Sequence, residues 1–551
     1  MDVPSAEPGT ARPLLTVVVP VYNGGDEIVG NVEHIREAIA RALPGELELI
    51  VVSDGSIDGT AELLLERRSR TIRVIHYDRN LGKGYAVKLG SLAARGEWVA
   101  LVDSDLDLDP GSIPAYLAVA QREQLDFAIG SKRHPESIVR YPRSRRVASW
   151  FYQQLNRLLF RLDVRDTQVG LKVFSRRVVD EVVPLLLVKQ FAFDLELLAV
   201  ATALGYGRVR ELPVRLDYRF TGSMLRSSTV VRALWDTLAI FYRLRILRTY
   251  QRKRRLVAAA LSSHALPRVS VVGDHAFVSL LDYPRLEAAS SVHDAQGELL
   301  AVLRTGARPS GNWVNAAVPF FANVDVAAVV TPAVAPLHGA LRELVAAAVV
   351  ESHLGGGSRR SGAFPGNLRI VADYESGSFV VRRSDYLAAL DARVEPEELV
   401  AWLSSRGRKV VYTPDASVGT RQPPLLRPHL AAASRHGAAR GRAARRTRAR
   451  SVSAASALSL APSVAALVGA AFLGVGGPLW DAGLVLVLLY AAALVVSGIR
   501  AGVRFRSVAV GILEPLAIVP SQVAYLWGFA RGLANTREHP TARLPFQFRR
   551  T

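Results

Sequence analysis

"WVALVDSDLDLDPGSI" (residues 98–113) runs from an apolar strand into aspartates at alternate positions, Asp103, Asp105, Asp107 and Asp109, and stops at Pro110. A buried strand tolerates that much charge at its end only where a turn, solvent or a cation takes it up. Asp107 and Asp109, nearest the proline, read as turn or capping residues. Asp103-Ser-Asp105 is different. Alternate carboxylates at the open end of a buried strand offer an oxygen donor set to a hard, six-coordinate Mg2+ or Mn2+. Such a cation bridges diphosphate oxygens and neutralises a departing nucleoside diphosphate.

This stretch is one of a series. LLTVVVPVY (14–22), LELIVVSD (47–54), IRVIHY (72–77), EWVALVDSD (97–105) and LDFAIGS (125–131) read as strands, separated by helical patterns such as GTAELLLERRS and YAVKLGSLAARG. Continuous apolar strands alternating with helices predict an α/β domain over 14–228, its mainly parallel sheet covered on both faces. Ligands of such sheets bind beyond the carboxyl ends of the strands. Asn23, Asp54 and Asp103–Asp105 follow the first, second and fourth strands, which predicts one cleft. Asp54, in VVSDGSIDGT, is either a turn aspartate or an acceptor for the N–H of a nucleotide base. RNLGKGYAVKLG (79–90) sets Gly82, Lys83 and Gly84 before a helix, where backbone N–H groups and a lysine suit a pyrophosphate.

At 551 residues the chain is too long for one core, and half its residues are hydrophobic. It has no cysteine, which excludes disulfides and thiolate metal sites. Its formal charge is +20, a balance that suits nucleic acid, anionic lipid or phosphorylated substrates. Residues 1–13 have no basic segment followed by an apolar one, so they read as a disordered tail rather than a signal peptide. The catalytic part is expected on the cytosolic side.

Residues 229–264 contain TVVRALWDTLAIFYRLRILRTYQRKRR (229–255), where Val230, Leu234, Leu238, Phe241 and Leu244 recur at helical spacing before a basic tail. They read as an amphipathic connector, either a packing helix or one lying in a membrane interface. A second, fainter α/β pattern occupies 265–430. The arginine-rich 431–457 lies directly against apolar segments at 458–476, 479–499 and 508–530, with a basic tail at 534–551. That adjacency favours anionic headgroups over nucleic acid as partner and puts the segment on the cytoplasmic side. The first two apolar segments read as a hairpin. The third carries Glu514, Pro515 and Pro520, and reads as kinked or re-entrant.

VVVPVYN, VVSDGSIDGT, RNLGKGYAV and VDSDLDLDP, in this order, resemble the family-two, GT-A-fold glycosyltransferases. GSKRHPES (130–137), DTQVGLKVF (166–174) and FAFDLELL (191–198) resemble the dolichyl-phosphate glucosyltransferase branch. The resemblance implies that Asp103 and Asp105 bind the metal and nucleotide sugar, with Asp105 in the catalytic group, and that Asp54 contacts the base. It adds Pro20, Tyr22, Asn23, Glu27, Gly82 and Lys83 to the donor side, with UDP-glucose favoured. The acceptor implied is polyprenyl phosphate. Its phosphate contacts resemble Arg145 and Ser149 in RYPRSRRVAS (140–149), with Lys132 and Arg133 as further candidates. Asp194 and Glu196 stand where relatives that attack with a hydroxyl carry their catalytic acid pair, and are expected to orient. A phosphate nucleophile is already anionic and needs no strong base, and the anomeric carbon would invert.

GARPSGNWVNAAVPFF, ESHLGGGSRR, SFVVRRSDYLAAL and GRKVVYTPDASV resemble a second domain of the same family. Its first strand, VSVVGDHA, lacks a following DDGS. LLAVLRT stands where the metal aspartates would be, and Glu397-Glu398 replace the acid pair. This domain is expected to keep the fold and lose donor binding, with a structural, dimerising (homo-oligomeric) or lipid-presenting role. Two alternatives stand beside this reading: transfer to a glycan or peptide hydroxyl with Asp194 as base, and an inactive scaffold of an envelope assembly.

Overall fold

The computed structural model describes residues 12–69, 71–77, 79–139, 143–190, 192–216, 227–254, 266–273, 275–281, 283–372, 374, 377–394, 396–447, 462, 464–475 and 477–534. It divides into two compact units, Met1–Ala265 and Leu266–Thr551.

In the first unit β1 (Leu15–Val21), β2 (Leu47–Asp54), β3 (Ile72–Tyr77), β4 (Trp98–Leu101) and β5 (Phe127–Ser131) join β7 (Lys172–Ser175) and β8 (Val209–Pro213) in one sheet; β6 (Ile138–Val139) pairs apart with β9 (Arg215–Leu216). The order is β3-β2-β1-β4-β7-β5-β8. β3, β2, β1 and β4 run parallel, β7 is antiparallel to both its neighbours, and β8 is parallel to β5. The expected mainly parallel sheet is therefore present, with one reversed strand that the apolar runs did not reveal.

All of β2 is buried and β1 nearly so, because helices cover both faces of their β-branched side chains. α1 (Ile28–Ala40) buries Ile28, Val32, Ile35 and Ile39, one stripe at helical spacing. α2 (Thr60–Glu66), α3 (Lys83–Ala93), α4 (Ile113–Arg122), α5 (Arg143–Phe160), α6 (Arg176–Glu181) and α7 (Phe193–Ala203) follow. α8 (Ser227–Phe241) closes the series and runs into a wide turn at Tyr242–Ile246. Trp235, Leu238, Tyr242 and Ile246 are exposed there, while Ile240 and Leu244 are buried. The connector thus both packs and presents an apolar face.

The second unit repeats the pattern. β10 (Val269–Val272), β11 (Leu286–Ala289) and β12 (Leu299–Val302) are parallel; β13 (Arg308–Pro309), β14 (Val326–Val330), β15 (Ala333–Val334), β16 (Arg369–Val371), β17 (Phe379–Arg382), β18 (Lys409–Tyr412) and β19 (Val418–Gly419) complete two sheets. The main sheet has the order β11-β10-β12-β17-β14-β18-β16, with β17 antiparallel to its neighbours and β18 parallel to β14. Position for position, β10, β11, β12, β17, β14 and β18 retrace β1, β2, β4, β7, β5 and β8. Arg304, two residues past β12, stands where Asp103 stands past β4. The second of the expected domains has the same topology with the strand-end charge inverted.

The rest of this unit is helical. α9 (Leu341–Glu351), α10 (Arg427–Thr447), α11 (Pro478–Phe505) and α12 (Val508–Ala534) pack with one another. α11 and α12 are long and apolar enough to cross a membrane. Of the segment expected to span at 458–476, the described residues hold only the short helix Val464–Leu473. IRAGVRFR, expected as a loop, is helical through Phe505, and the chain reverses at Arg506–Ser507. α10, expected as a juxtamembrane tail, instead lies along α12. Gly437 and Gly441 meet the backbone at Tyr525 and Phe529, and Gly528 and Gly532 meet it at Ser434 and Ala438, so any side chain there would hold the two helices apart. The polar residues of the third apolar segment are bonded within the unit, Ser521 to His429 of α10, Glu514 to α11 and Gln522 to the loop after α9. Glu514 accepts from Ser497 at 2.7 Å, and Gln522 donates to the Leu354 carbonyl at 2.8 Å.

Candidate active site

Five consecutive strands of the sheet build the site, β3, β2, β1 and β4 with their carboxyl ends and the antiparallel β7 with its amino end. Asp103 follows β4, and its carboxylate meets the Lys83 ammonium at 2.5 Å. Lys83 is the first residue of α3. Burial works to lower the Lys83 pKa, but Asp103, Asp194 and Asp105 outweigh it and the value is raised. A pocket behind this pair is lined by Pro20, Lys83, Asp103, Gly170, Gln190 and Asp194. Asp194, in the first turn of α7, takes the Nζ of buried Lys172 at 2.6 Å. Lys172 also donates to the Val169 carbonyl. The reversed strand β7 is what brings Gly170 and Lys172 here.

Asp103 and Asp105 place two carboxylates, all-oxygen donors of the kind a hard cation takes, at the end of a buried strand; among the described residues no third acid or histidine joins them in a group, and Asp103 is paired with Lys83. Gly170 is part of the cradle: a Cβ on it would stand 2.2 Å from Oδ2 of Asp103. Asp105 is exposed, and its Oδ1 accepts from the Asp107 N–H at 3.2 Å. Asp109 caps the following turn through the Gly111 N–H at 2.9 Å, as the sequence led us to expect.

Asn23 has φ 50° and braces the loop after β2, accepting from the Ile57 N–H at 3.1 Å. Tyr22 and Glu27, just past β1, are exposed. Gly82 has φ 106°, and a Cβ there would lie 2.3 Å from the Lys189 carbonyl, so no other residue fits.

Two expectations need correction. Asp54, expected at the base, is 3% exposed and bound within the protein: Oδ1 accepts from Tyr77 Oη at 2.9 Å and Leu81 N at 2.7 Å, and Oδ2 from Gly82 N at 3.0 Å. It shapes the glycine loop ahead of α3. Glu196, expected beside Asp194 in an orienting pair, is fully buried. It accepts from Leu187 N and Val188 N, each at 2.8 Å, and from Tyr250 Oη. Burial raises its pKa against those bonds. Successive polar residues in an apolar helix turn about 100° each, so Asp194 and Glu196 point about 200° apart and cannot share a site.

Burial also pushes Asp54 up, from 3.8 to about 6, against the bonds from Leu81, Tyr77 and Gly82. Between those values the folded chain keeps a proton that the unfolded chain has released. The contribution of this group to stability is therefore full below pH 3.8 and is lost as pH rises to about 6. Asp54→Asn is expected to remove that fall. Denaturation midpoints of both proteins across pH 4–7 would check it; parallel curves would contradict it.

On the acceptor side, the backbone N–H of Lys132 donates to Asp166 at 3.3 Å, and Arg133 is bound to Gln153. Arg145 and Ser149 fall four residues apart on α5, on one helix face, with side chains outside the described residues. Sequence reasoning missed Gly170 and Lys172. The signal was present in GLKVF, a lysine inside an otherwise buried strand, which must find a partner.

Residues 16–183 match the Glycosyl transferase family 2 profile, so the first unit carries a family-two glycosyltransferase domain. More particularly, the chain is 31% identical over 215 residues to dolichyl-phosphate beta-glucosyltransferase of Drosophila melanogaster, covering 36% of this chain and 64% of that one. It is 34% identical over 203 residues to glycosyltransferase AglD of Haloferax volcanii, covering 36% and 32%. It is 29% identical over 171 residues to dodecaprenyl-phosphate galacturonate synthase of Rhizobium johnstonii, covering 30% and 49%. The chain thus spans between a third and just under two thirds of the length of these relatives.

Proposed function

We propose that the first unit transfers a hexose, with glucose from UDP favoured, from a nucleotide sugar to polyprenyl phosphate at the cytoplasmic membrane face. The observation that carries this reading is the Asp103–Lys83 pair at the N-terminus of α3, opening on the pocket that holds Asp194 already bound to Lys172. Asp103 and Asp105 would hold Mg2+ or Mn2+, which supplies positive charge for the diphosphate leaving group. Lys83 and the first N–H groups of α3 bind the same diphosphate and stabilise its charge as it leaves. An acceptor phosphate oxygen attacks the anomeric carbon. A new carbon–oxygen bond forms, the bond to the diphosphate breaks, the nucleoside diphosphate departs, and the configuration inverts.

No proton has to be removed from the nucleophile. That agrees with an Asp194 already paired with the buried Lys172 ammonium, an arrangement that turns it away from base duty. Arg145, Ser149, Lys132 and Arg133 are the residues proposed to receive the acceptor phosphate. The exposed apolar face of α8 beside Arg243, Arg245 and Arg248 suits a headgroup layer, which would bring the lipid within reach. The apolar helices α11 and α12 would retain the chain at the membrane.

The test uses membranes containing the protein, labelled UDP-glucose or GDP-mannose, polyprenyl phosphate and Mg2+. Label extracted into organic solvent, lost on chelation with EDTA, is the expected result and names the donor. Label on a water-soluble glycan or peptide instead would overturn the lipid-phosphate reading and favour a hydroxyl acceptor.

A further inference from the structure

α12 has two distinct faces along its whole length. Val508, Ile512, Leu516, Val519, Val523 and Trp527 are exposed. At 3.6 residues per turn they fall within an arc of about 100°. Val510, Ala517, Ile518 and Gly528, on the other side, are buried. α11 is built alike. Val485, Leu488, Leu489, Val496, Ile499 and Val503 form an exposed arc of the same width, and Gly483, Gly498, Ala501 and Phe505 are buried opposite it. Two continuous apolar stripes on one unit mark a surface that something apolar covers.

What packs on the buried faces limits how deep these helices can go. From Val510 to Ile518, α12 shares a core with Val345, Ala348 and Val349 of α9, and Gln522 donates to the Leu354 carbonyl just beyond α9. From Ser521 to Leu533 it lies against α10. His429 meets Ser521 at 3.0 Å, and Gly437 and Gly441 approach the backbone at Tyr525, Phe529 and Leu533. α10 carries Arg435, Arg440, Arg442 and Arg445. A hydrocarbon core is about 30 Å thick and takes about 20 residues of helix. A stretch of that length from α12, set across it, would carry along α9 with its buried Glu351, or the arginines of α10. Charge at that depth is costly. α11 shares the constraint, because Ser497 is bound to Glu514 and Tyr490 to Gln522, the latter at 3.2 Å.

We infer that α11 and α12 lie along one leaflet of a lipid bilayer, their apolar stripes in the acyl region, and that neither crosses it. Their packed faces then turn toward α9 and α10, which stay in water. Arg500, exposed at the edge of the α11 stripe, reaches the phosphates of the headgroup layer. The inference rests on the membrane retention proposed above and not on sugar transfer.

The chain has no cysteine, so single cysteines can be spin-labelled in the full chain, reconstituted in phospholipid nanodiscs. Leu488→Cys, Val496→Cys and Val503→Cys on α11, and Ile512→Cys, Val519→Cys and Val523→Cys on α12, replace exposed side chains and should leave the packing intact. Electron paramagnetic resonance with oxygen and a nickel complex as relaxants reads the depth of each label. All six are expected within about 5–10 Å of the headgroup boundary. Labels that descend along either helix to the bilayer centre, about 15 Å deep, and rise again toward its far end would overturn the inference and leave membrane retention in place. Labels open to water throughout would overturn both. Exposed Asp481 and Arg506 mark the two ends of α11. In sealed inverted membrane vesicles, Asp481→Cys and Arg506→Cys should react with an impermeant maleimide from the same face. Reaction of the two from opposite faces would overturn the inference.

Discussion

Asp105→Ala is expected to lower lipid glycosylation roughly 1000-fold, because several kcal/mol of leaving-group stabilisation, about 4, corresponds to three powers of ten in rate. The protein should stay folded. Asp105 is exposed and accepts only a turn N–H, from Asp107, within its own loop. Asp109→Ala is the matched control, since its carboxylate caps a turn outside the pocket, and it should keep activity within a few-fold. Electron paramagnetic resonance of added Mn2+ gives a second readout independent of turnover: bound Mn2+ should fall with Asp105→Ala and not with Asp109→Ala. Full activity in Asp105→Ala would end the metal assignment.

The second large effect is expected at a residue with no functional atom. Gly170→Ala adds one methyl, 2.2 Å from Oδ2 and 2.7 Å from Cγ of Asp103, distances no pair of unbonded atoms tolerates. The carboxylate must rotate or move by about 1 Å, a displacement of the kind that costs about 100-fold in rate. The backbone has no positive φ at this position, so alanine introduces no strain of its own. Activity and Mn2+ affinity should therefore both drop while the thermal midpoint changes little. A variant that melts early yet binds Mn2+ normally would show that Gly170 serves packing instead.

Most of the first unit is legible in the chain because its strands are continuous apolar runs, those at the sheet centre almost wholly buried, and the first and fourth are followed by polar residues of the site. Asp103 and Asp105 stand out for the same reason, charge at the end of a run that has no other use for it. β7 was less legible. Four residues inside a motif give too short a run to assign, and their antiparallel insertion depends on pairing with β4 and β5, far away in the chain. With β7 went Gly170 and Lys172, whose roles exist only across that pairing. Asp54 and Glu196 illustrate the opposite error. Both sit in motifs whose sequence suggests ligand contact, and both are buried with their carboxylate oxygens accepting from the protein's own N–H and O–H groups.

The C-terminal region divides in the same way. Length and apolar composition are read directly along the chain, so helices able to cross a membrane were expected there and are found. Which face of each helix is occupied is not a local property. Glu514, Pro515 and Pro520 read as interruptions of a span, and the arginine-rich stretch before them as a juxtamembrane segment on anionic headgroups. Packing decides both: glycines let α10 and α12 approach to backbone contact, and the polar residues bond to α11, to α10 and to the loop after α9. The sequence by itself determined the α/β class, the strand-end acids and the apolar helices, because each is a pattern among near neighbours. The tertiary structure alone decided which carboxylates remain open to a ligand, because that depends on donors brought from distant strands and helices.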